Sequence, residues 1–399
     1  MSERYDIGIV GAGPAGLTAA YFAARAGARV VLLDRKTPPG QKILISGGGR
    51  CNILPTHVEP GVYVTDSSPH LVRRVLAGFP LAAVRDFLTG PVGLELHQEG
   101  EKVYPRGGGR EAHSRLVGTV KHYGARLLTG ADVVGVKKGH IALETGEKVL
   151  ASRIILATGG MSYPRAGSDG TGYRIARRLG HTVIDPYPAL VALRGGTAAH
   201  HALAGVTLPV RLAIGEGKSR IEAEGDFLFT HRGYSGPVVL NTAHAAARAR
   251  MRGEHPPITV GWNRMGREEW RDVISPSRKT IRGRLREELP LRLVDLLLSE
   301  AIIPGGRKLS ELRRDERKRI LDALSAYRLP WTGTEGFSRA EVTGGGVSLR
   351  EIDPKTMQSR VHPWLYLCGE ILDAFGPIGG YNFLWAFSTG ALAGRGAAA

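Results

Sequence analysis

The first 34 residues alternate between apolar runs and a glycine-rich turn. Residues 5–10 and residues 29–33 are apolar runs of strand length, which predicts two buried strands. Residues 14–26, between them, are small and helix-forming, and they predict a helix that ends at Gly27. The order strand, helix, strand is typical of a βαβ unit, so the chain is expected to open with a parallel sheet.

The rest of the chain predicts further helices and strands in a mixed order. Helical patterns cover residues 66–88, 111–123 and 381–395, and "GLELHQEGEKVYP" predicts a hairpin. Residues 125–160 predict several strands, the last of which is buried and ends in "ATGG". Short strands are expected from about residue 190 to 240, and basic helices from 241 to 330. From residue 341 the chain returns to glycine-rich strands and a terminal helix.

The charge balance is the unusual feature of the composition. The chain has 54 Lys and Arg against 37 Asp and Glu, a formal net charge of +17. Residues 241–330 hold 20 of these basic residues and 12 of the acidic ones. Such a field attracts polyanions, so a phosphate-contacting surface is one interpretation. The other is a set of solvated helix faces with neighbouring ion pairs, in a chain that has no polyanionic partner.

The remaining composition bears on the cellular compartment. Two cysteines, Cys51 and Cys368, do not make a disulfide framework, so a reducing cytoplasm is expected. No apolar run reaches the roughly 20 residues of a membrane span, and no membrane association is expected. A strand pattern begins by Tyr5, and no signal peptide is expected before it. Nothing in the sequence predicts a metal site or an oligomeric state.

The turn "GAGPAG" between the first strand and the first helix has the chemistry of a dinucleotide site. Gly11 permits a tight turn, Gly13 lets the backbone approach a pyrophosphate, and Gly16 lets helix and strand pack closely. The helix start supplies amide donors and the positive end of a dipole. Asp34 follows the second strand, 18 positions after Gly16, where its carboxylate can accept the ribose hydroxyls.

Glycine also marks two later strand ends, 157–160 and 369–380. Ligands collect at the carboxyl ends of parallel strands, so one extended dinucleotide that touches all three glycine segments is expected. FAD is favoured over NAD because the helix that starts after Gly379 and Gly380 can offer amides to the negative end of a reduced flavin. Glu370 is expected to hold ribityl hydroxyls, and Val133 to contact the adenine through its backbone.

A dedicated nicotinamide domain is not expected. The nearest second glycine motif, "GSDGTGYRIARRLG", follows a loop rather than a strand. NAD(P)H is therefore expected to visit the flavin transiently as the reductant.

The stretch "ISGGGRCN", residues 45–52, is expected to run beneath the cofactor. Its glycines allow close backbone approach, and Arg50 either offsets phosphate charge or holds the loop. Cys51 is a candidate proton donor, with a buried structural thiol as the alternative. Tyr381 and His231 are two further candidate donors, each with a structural role as the alternative.

Motifs along the whole chain resemble the BaiN/RdsA-type family of bacterial NAD(P)/FAD-dependent oxidoreductases. That family contains bile-acid reductases, aminoacetone-oxidase-like flavoproteins and ribosomal RNA dihydrouridine synthases. The matching stretches are "GAGPAG", "GQKILISGGGRCN", "VYP", "ATGG", "FTHRGYSGP", "GGVSLREIDPKTMQS" and "GEILDAFGPIGGYNFLWAFSTG". One departure is "VYPRGGGREAHS", where family members tend to carry Phe before the proline and a serine shortly after it.

The resemblance implies an α/β fold with a Rossmann-like, glutathione-reductase-like FAD domain, interrupted by a β-rich domain and a helical insert. The expected boundaries are 1–189 with 341–399, 190–240 with 331–340, and 241–330. Sequence and resemblance together predict cofactor contacts at Gly11, Ala12, Gly13, Pro14, Ala15, Gly16, Asp34, Arg35, Lys42, Ser46, Gly48, Gly49, Arg50, Cys51, Asn52, Val133, Thr158, Gly159, Gly369, Glu370, Gly379, Gly380, Tyr381 and Asn382.

Three functions remain open at this point. The first is reduction of a uridine C5–C6 double bond in 23S ribosomal RNA: hydride reaches C6, and an acid then protonates C5. The basic charge would hold the RNA backbone. The second is a small-molecule flavoenzyme, either a reductase of conjugated enones or an aminoacetone-type amine oxidase. The third is a flavin-binding protein without catalysis, which the glycine clusters around the expected reactive ring disfavour.

Overall fold

A computed structural model describes residues 3–217 and 220–399 and divides the chain into two units. The first is discontinuous, Met1–Pro186 with Glu341–Ala399, and the second is the continuous segment Tyr187–Ala340. The expected boundary between residues 240 and 241 falls inside the helix Pro237–Met251. The three-part division of the chain stays a prediction.

Helices and strands are interspersed in both units. The first unit starts with β1 (Arg4–Val10), α1 (Pro14–Arg25), β2 (Val30–Asp34), α2 (Gln41–Ile45), β3 (Leu54–Pro55), α3 (Pro69–Gly78), α4 (Leu81–Thr89), β4 (Leu96–Glu99), β5 (Lys102–Pro105), α5 (Gly108–His122), β6 (Arg126–Thr129), β7 (Val133–Lys137), β8 (His140–Leu143), β9 (Lys148–Leu156), α6 (Thr171–Arg178) and β10 (Val183–Ala189), along which the chain leaves it. The second unit contains β11 (Leu193–Gly195), α7 (Ala198–His201), β12 (Thr207–Ile214), β13 (Ile221–Thr230), β14 (Gly233–Ser235), α8 (Pro237–Met251), β15 (Ile258–Trp262), α9 (Arg267–Val273), α10 (Ile281–Leu285), α11 (Leu291–Glu300), α12 (Arg314–Ser325), β16 (Tyr327–Arg328) and β17 (Trp331–Thr334). The chain re-enters the first unit with β18 (Val342–Val347), β19 (Leu365–Leu367) and α13 (Tyr381–Ala398). Short 3-10 helices lie at Ser46–Gly49, Pro60–Val62, Pro164–Ala166, Leu309–Glu311, Leu349–Glu351 and Gly369–Ile371.

The main sheet of the first unit is largely parallel. Its order is β6-β2-β1-β9-β8-β7, and β19 also pairs with β9. β6, β2, β1, β9 and β19 run parallel, while β8 is antiparallel to β9 and to β7. β1 and β2 are almost entirely buried, as expected for parallel strands covered on both faces. The predicted βαβ opening is therefore present.

Helices α1 and α13 pack closely in the core of the first unit. A Cβ on Gly390 would overlap the carbonyl oxygen of Ala15, and a Cβ on Gly394 would overlap that of Ala19. Small residues at this contact let the two backbones approach, so the terminal helix is part of the same hydrophobic core as the first.

Among the described residues, no helix is both long and apolar enough to cross a membrane.

One predicted helix is two helices in the structure. The pattern over residues 66–88 continues across Phe79 and Pro80, but the chain breaks there into α3 and α4. Proline has no amide hydrogen and disfavours helical backbone in the residue before it. The apolar periodicity was correct on both sides because both helices bury one face.

The second unit has its own sheet and core. The sheet order is β16-β15-β12-β13-β14-β11-β17, and all its pairs are antiparallel. β15, which the sequence placed in the helical segment, pairs with β12 in the β-rich segment. Helices α8 to α12 contribute side chains to the same hydrophobic cluster as these strands. The second unit thus has one shared core.

Candidate cofactor site

The carboxyl ends of four parallel strands lie at one edge of the main sheet. Val10 at the end of β1 pairs with Leu33 of β2 and with Leu156 of β9. Leu156 in turn pairs with Leu367 of β19. The segments that follow these strands, residues 11–16, Asp34, 157–160 and 368–370, are therefore brought to the same edge. This is where open parallel sheets bind their ligands.

The turn after β1 contains three glycines. Two of them are needed for close packing, and the third faces open space. A Cβ on Gly11, where φ is 101°, would overlap the carbonyl oxygen of Ala157. A Cβ on Gly16 would overlap the carbonyl oxygen of Gly11. Gly13 instead has no atom within 4 Å of its Cβ position. It caps α1 without a side-chain hydrogen bond, and Pro14 follows at the first helical position.

Asp34 closes the turn through its carboxylate. Its Oδ2 accepts a hydrogen bond from the backbone N–H of Ala12 (2.8 Å), and its Oδ1 accepts one from Lys36 (2.8 Å). Burial raises the pKa of this carboxyl, although the amide donors lower it in part. Each oxygen retains capacity for another donor, as a ribose hydroxyl requires.

Arg35 has a structural role. Its guanidinium pairs with Asp132 (2.7 Å) and with Asp169 (2.5 Å). It therefore joins the residue after β2 to the start of β7 and to the loop before α6. Burial acts to raise the pKa of Asp169, but hydrogen bonds from Thr171 and the pairing with Arg35 lower it to about 2.

Val133 and Thr158 flank the same edge. Val133 begins β7 and is buried, two residues after Ala131, whose N–H bonds the carbonyl oxygen of Asp34 (3.0 Å). Thr158 follows β9, and its hydroxyl lies 3.4 Å from the carbonyl oxygen of Gly159. Gly159 has a φ of 71°, and its Cβ position faces the hydroxyl of Ser168.

Glu370 is the centre of a polar network that joins four distant segments. Its Oε2 accepts from Lys42 Nζ of α2 (2.8 Å), while Oε1 accepts from Ser162 Oγ (2.6 Å) and from the backbone N–H of Thr343 in β18 (3.0 Å). Lys42 also donates to Ser162 (2.6 Å). Three of the roughly four acceptor positions of the carboxylate are filled, which leaves capacity for a ligand hydroxyl.

Sequence reasoning missed Ser162 and Thr343 in this network. The hydroxyl of Thr343 accepts from the backbone N–H groups of Met161 (2.7 Å) and Ser162 (2.9 Å), and both Thr343 and Ser162 are buried. Ser162 comes two residues after the glycine pair of "ATGG", and Thr343 precedes "GGG". The adjoining glycines were the available signal, but nothing in either segment indicates their partner.

The glycine triplet of residues 47–49 forms a left-handed loop. Gly47 and Gly48 have φ values of 56° and 66°, a conformation that favours glycine. The loop is closed by the N–H of Cys51, which bonds the carbonyl oxygen of Ser46 (3.0 Å). No atom lies within 4 Å of the Cβ position of Gly48, so this backbone is open to a ligand.

Arg50 makes contacts within the protein, whereas the side-chain oxygen of Asn52 accepts no hydrogen bond from the described residues. Arg50 pairs with Glu99 of β4, and its guanidinium carbon lies 4.5 Å from the centre of the Tyr104 ring in β5. It therefore holds the loop to the β4–β5 hairpin, one of its two expected roles. The buried Oδ1 of Asn52 has no hydrogen-bond partner among the described residues. An unsatisfied buried acceptor is costly, so this atom has the chemistry of a ligand contact.

Cys51 is fully buried, and burial raises the pKa of its thiol to about 12. Its backbone has a φ of 59°, unusual for a residue with a side chain. The thiol is uncharged at neutral pH and is a weak acid. These properties fit the structural alternative better than a role as proton donor.

The start of α13 is the other side of the expected site. Gly379 and Gly380 lead into the helix with φ values of 118° and 90°, and no side chain caps it. The backbone N–H of Gly369, after β19, donates to the Thr389 hydroxyl of this helix (2.9 Å). The side-chain amide of Asn382 both accepts from and donates to the backbone of Gly376 (2.9 Å each). Asn382 therefore fixes the loop before the helix.

Of the other two candidate donors, only Tyr381 lies in the first unit. It is half-buried, burial raises the pKa of its phenol, and its hydroxyl has no hydrogen bond to any described residue. Its carbonyl oxygen accepts from the Tyr63 hydroxyl (2.8 Å). His231 is exposed in the turn between β13 and β14, so it belongs to the second unit, whereas the expected cofactor contacts belong to the first.

Together, these residues of the first unit fit an FAD. Uncapped starts of the long helices α1 and α13 supply amides, and Asp34 and Glu370 supply carboxylate acceptors. The open backbone at Gly13 and Gly48 and the unsatisfied Asn52 oxygen match a group that approaches the main chain closely. Within residues 3–217 and 220–399, no group of three or more His, Cys, Asp or Glu could hold a metal ion.

The comparison with known proteins covers nearly the whole chain. The model of the HI0933-like protein Rossmann domain matches residues 5–396. The ribosomal RNA dihydrouridine synthase of Escherichia coli (strain K12) is 32% identical over 399 residues, covering 97% of this chain and 96% of that protein. The ribosomal RNA dihydrouridine synthase of Haemophilus influenzae (strain Rd) is 34% identical, covering 98% of this chain and 97% of that protein. The 3-dehydro-bile acid delta(4,6)-reductase of Clostridium scindens is 33% identical and covers 98% of both.

Solved structures confirm the fold. The 3-ketosteroid delta1-dehydrogenase of Sterolibacterium denitrificans superposes with a TM-score of 0.52 at 12% identity, and all of both chains is covered. The 3-ketosteroid-delta4-(5alpha)-dehydrogenase of Rhodococcus jostii RHA1 gives a TM-score of 0.50 at 15% identity, covering 100% of this chain and 98% of that one. At these identities the likeness concerns architecture alone, and it supports the predicted α/β Rossmann-like class.

Proposed function

The chain belongs to the HI0933-like Rossmann-domain family, an FAD-dependent oxidoreductase family, and we propose that it reduces the C5–C6 double bond of uridine in 23S ribosomal RNA. The family predicted from the motifs, and the prediction of an oxidoreductase enzyme, are confirmed by the full-length relatives. The RNA substrate is the proposed part. It is supported by near full-length similarity to two ribosomal RNA dihydrouridine synthases and by the net charge of +17.

One structural observation carries the flavin assignment: four parallel strands end at one edge of the sheet, in a unit that also has open glycine backbone and an unsatisfied buried acceptor. Gly13 and the start of α1 would hold the pyrophosphate, and Asp34 the ribose. Glu370, fixed by Lys42 and Ser162, would hold a ribityl hydroxyl. When bound and reduced, the flavin supplies a hydride to C6 of the uracil.

The chain itself must then supply a proton to C5. We assign this to the phenol of Tyr381, which is half-buried and has no competing hydrogen bond among the described residues. Burial raises the pKa of this phenol, so it is a weak acid that is protonated at neutral pH; unlike the fully buried Cys51 thiol, it is partly accessible to a substrate. Tyr381 is the first residue of α13, and the backbone N–H groups at this helix start favour negative charge near them.

The reductant and compartment follow from this chemistry. The first unit has a single glycine turn of the dinucleotide type that follows a strand, so NAD(P)H would bind transiently and reduce the flavin. A substrate in ribosomal RNA places the reaction in the cytoplasm.

The test is dihydrouridine mapping of 23S ribosomal RNA from a strain that lacks the gene, with and without the gene restored. We expect one or more dihydrouridines to disappear on deletion and to return with the wild-type chain. Tyr381→Phe should bind FAD normally but restore the modification at least tenfold more slowly in a time course. Unchanged ribosomal RNA in the deletion strain would exclude the proposed substrate.

A second candidate is reduction of a conjugated enone in a small molecule. The bile acid reductase is as similar to this chain, at 33% identity, as the two RNA enzymes are. The same flavin would deliver hydride to an electron-poor carbon. Loss of the enone absorbance of a 3-keto-4-ene steroid with purified protein and NAD(P)H would favour this alternative, if ribosomal RNA were unmodified by the same preparation.

A further inference from the structure

Several cations in the most basic part of the sequence are already engaged in contacts within the second unit. In α12, Arg319 pairs with Asp315 (2.7 Å). Arg317 donates instead to the carbonyl oxygen of Ile274 (2.7 Å). Arg282 of α10 pairs with Asp295 of α11 (2.6 Å). Charges held in such pairs have little left for an external phosphate, so the density of Arg and Lys along the sequence does not locate a binding surface.

A different set of cations converges around β11. Arg194 lies on β11, opposite Gly233 of β14. The next residue, Gly195, donates its N–H to the carbonyl oxygen of Arg232 (3.1 Å). These backbone contacts bring the segment of Arg194 next to the exposed turn of His231 and Arg232.

Two more residues extend this surface. The carbonyl oxygen of Gly195 accepts from the ring Nε2 of His201 in α7 (3.0 Å). One residue further, the carbonyl oxygen of Ala202 accepts from the guanidinium of Arg292 in α11 (3.0 Å). We call the three arginines Arg194, Arg232 and Arg292, together with the hydrogen-bonding imidazoles of His201 and His231, the β11 cation cluster. Four of the five are exposed, and His201 is half-buried.

The cluster is not neutralised by acidic partners. Across the part of the chain that the structure describes, none of its three arginines forms an ion pair. Two acids lie on nearby segments. The carboxylate of Glu300 accepts from the Tyr327 hydroxyl (2.8 Å), and Glu335, whose backbone N–H donates to the carbonyl oxygen of Ala192 (3.0 Å), forms no ion pair with any described residue. Uncompensated cations held together repel each other, so an anion that binds them relieves this repulsion.

The scaffold under the cluster is fixed. β11 is paired on both sides, with β14 and with β17. Next to the turn, the buried Tyr234 donates its hydroxyl to the carbonyl oxygen of Pro330 (3.0 Å). Groups on a rigid scaffold lose little conformational entropy on binding. Guanidinium forks match phosphate oxygens, and the imidazoles add hydrogen-bond donors.

We propose that the β11 cation cluster binds backbone phosphates of the RNA substrate, an inference that rests on the proposed function. It locates the RNA contact on β11 and the neighbouring turn of the second unit rather than on the basic helix α12. Each phosphate neutralised releases counterions, so the cluster should contribute a measurable part of the salt dependence of RNA binding.

The experiment measures binding of the FAD-loaded full-length chain to a 23S ribosomal RNA transcript between about 50 and 200 mM salt. The test variant is Arg194→Gln with Arg232→Gln. The control is Arg314→Gln with Lys318→Gln, which removes the same charge from two exposed positions of α12 that have no ion pair among the described residues. Each lost phosphate contact should reduce the magnitude of the slope of log affinity against log salt by about 0.7–0.9. The test pair should therefore reduce it by about 1.4–1.8 and weaken binding roughly tenfold. The control pair should change the slope by less than half as much.

Thermal midpoint and flavin absorbance confirm that each variant folds. If the test pair does not fold, Arg292→Gln alone, on a different element, should lower the slope by about 0.7–0.9. A wild-type slope in the test variant, an equal effect of the control pair, or no salt-dependent binding by the wild type would overturn the inference.

The outcomes separate the two proposals. If the wild-type gene restores dihydrouridine and the test pair binds RNA and restores it equally well, the cluster assignment fails and the proposed function stands. If no dihydrouridine depends on the gene, but the test pair selectively loses RNA binding, the proposed function fails and the cluster assignment stands as a property of an RNA-binding surface.

Discussion

The thiol of Cys51 lies in the core of the first unit, between an open glycine loop and the buried strand β3. Its position explains why the sequence drew attention to it, since the flanking glycines and Asn52 have features of a ligand site. Its chemistry is different from theirs, because burial raises the pKa of the thiol to about 12.

Cys51→Ala should therefore retain turnover within about twofold of wild type. The loss of a small buried group should lower the free energy of unfolding by about 1 kcal/mol. Activity and the urea midpoint should be measured together with Cys368→Ala, which removes the other fully buried thiol of the same core. A hundredfold loss of turnover in Cys51→Ala alone, with FAD bound, would show that the thiol takes part in the reaction.

Asp373 is a buried carboxyl that nothing in the local sequence singles out. Its Oδ2 accepts from the Thr65 hydroxyl (3.0 Å), the N–H of Asp66 (3.0 Å) and the Ser67 hydroxyl (2.8 Å). Burial nevertheless raises its pKa from 3.8 to about 6, because the three donors offset only part of the lost hydration. The folded chain therefore binds this proton more tightly than the unfolded chain.

Because the folded pKa is the higher one, the stability contributed by this group is complete below about pH 4 and is lost as pH rises through about 6. Asp373→Asn, which keeps an acceptor for the three donors, should not show this loss. Its unfolding free energy relative to wild type should rise by up to about 3 kcal/mol between pH 4 and pH 7. Urea unfolding at several pH values tests this, with the exposed neighbour Asp66→Asn as control; equal pH dependence in wild type and Asp373→Asn would contradict it.

Individual residues were predictable where their role is local. Gly11, Gly16 and Asp34 belong to one turn, and the spacing along the chain carries their geometry. The partners of Glu370 were not predictable, because Lys42 of α2 and Thr343 of β18 are distant in sequence and meet it only in the folded first unit. Pairing between distant residues is decided by tertiary packing, which local patterns do not encode.

At the scale of elements, the β1–α1 turn gives a matched pair of substitutions. Gly16→Ala places a Cβ against the carbonyl oxygen of Gly11, so it should destabilise the FAD-free chain by about 1–3 kcal/mol. Gly13→Ala meets open space and an ordinary φ of −72°, so the FAD-free chain should keep its thermal midpoint.

The same Gly13→Ala variant should bind FAD at least tenfold more weakly, because the methyl group occupies the approach of the pyrophosphate. Flavin fluorescence quenching gives the affinity, and differential scanning calorimetry of the FAD-free chain gives the stability. Wild-type affinity in Gly13→Ala would show that the pyrophosphate lies elsewhere.

Helices and strands could be predicted from the sequence where one face of the segment is buried. The predicted terminal helix and the β4–β5 hairpin are present, because their apolar positions match helix and strand periods. The helix break before α4 and the strand β15 were missed for different reasons. Pro80 was outweighed by a continuous helical pattern, and β15 is a short strand surrounded by helices.

For the whole molecule, composition predicted the sign of the charge but not its distribution. Net charge is a sum over residues, whereas the availability of each cation depends on whether an acid lies beside it. Arg319 and Arg282 are paired within the second unit, while Arg194 and Arg232 form no ion pair with any described residue. Only the fold distinguishes these two groups.

The second unit should fold on its own. It is one continuous segment with its own hydrophobic cluster, and its two ends are joined by the pairing of Leu193 with Thr334. Residues 187–340, expressed alone, should therefore unfold in a single cooperative transition with dispersed amide resonances. A fragment that ends at residue 330 lacks β17 and serves as the control. A molten or aggregated 187–340 fragment would show that its core needs the rest of the chain.

The late return of the chain to the first unit has a consequence for protein synthesis. β19 and α13 are made after the second unit, yet β19 pairs with β9, and α13 packs on α1 at the edge where the cofactor is expected. The second unit is complete before either emerges from the ribosome, so it can acquire its structure while the N-terminal helix still lacks its partner. Flavin capture would then report that α13 has been made, and a chain cut short before this helix would remain colourless.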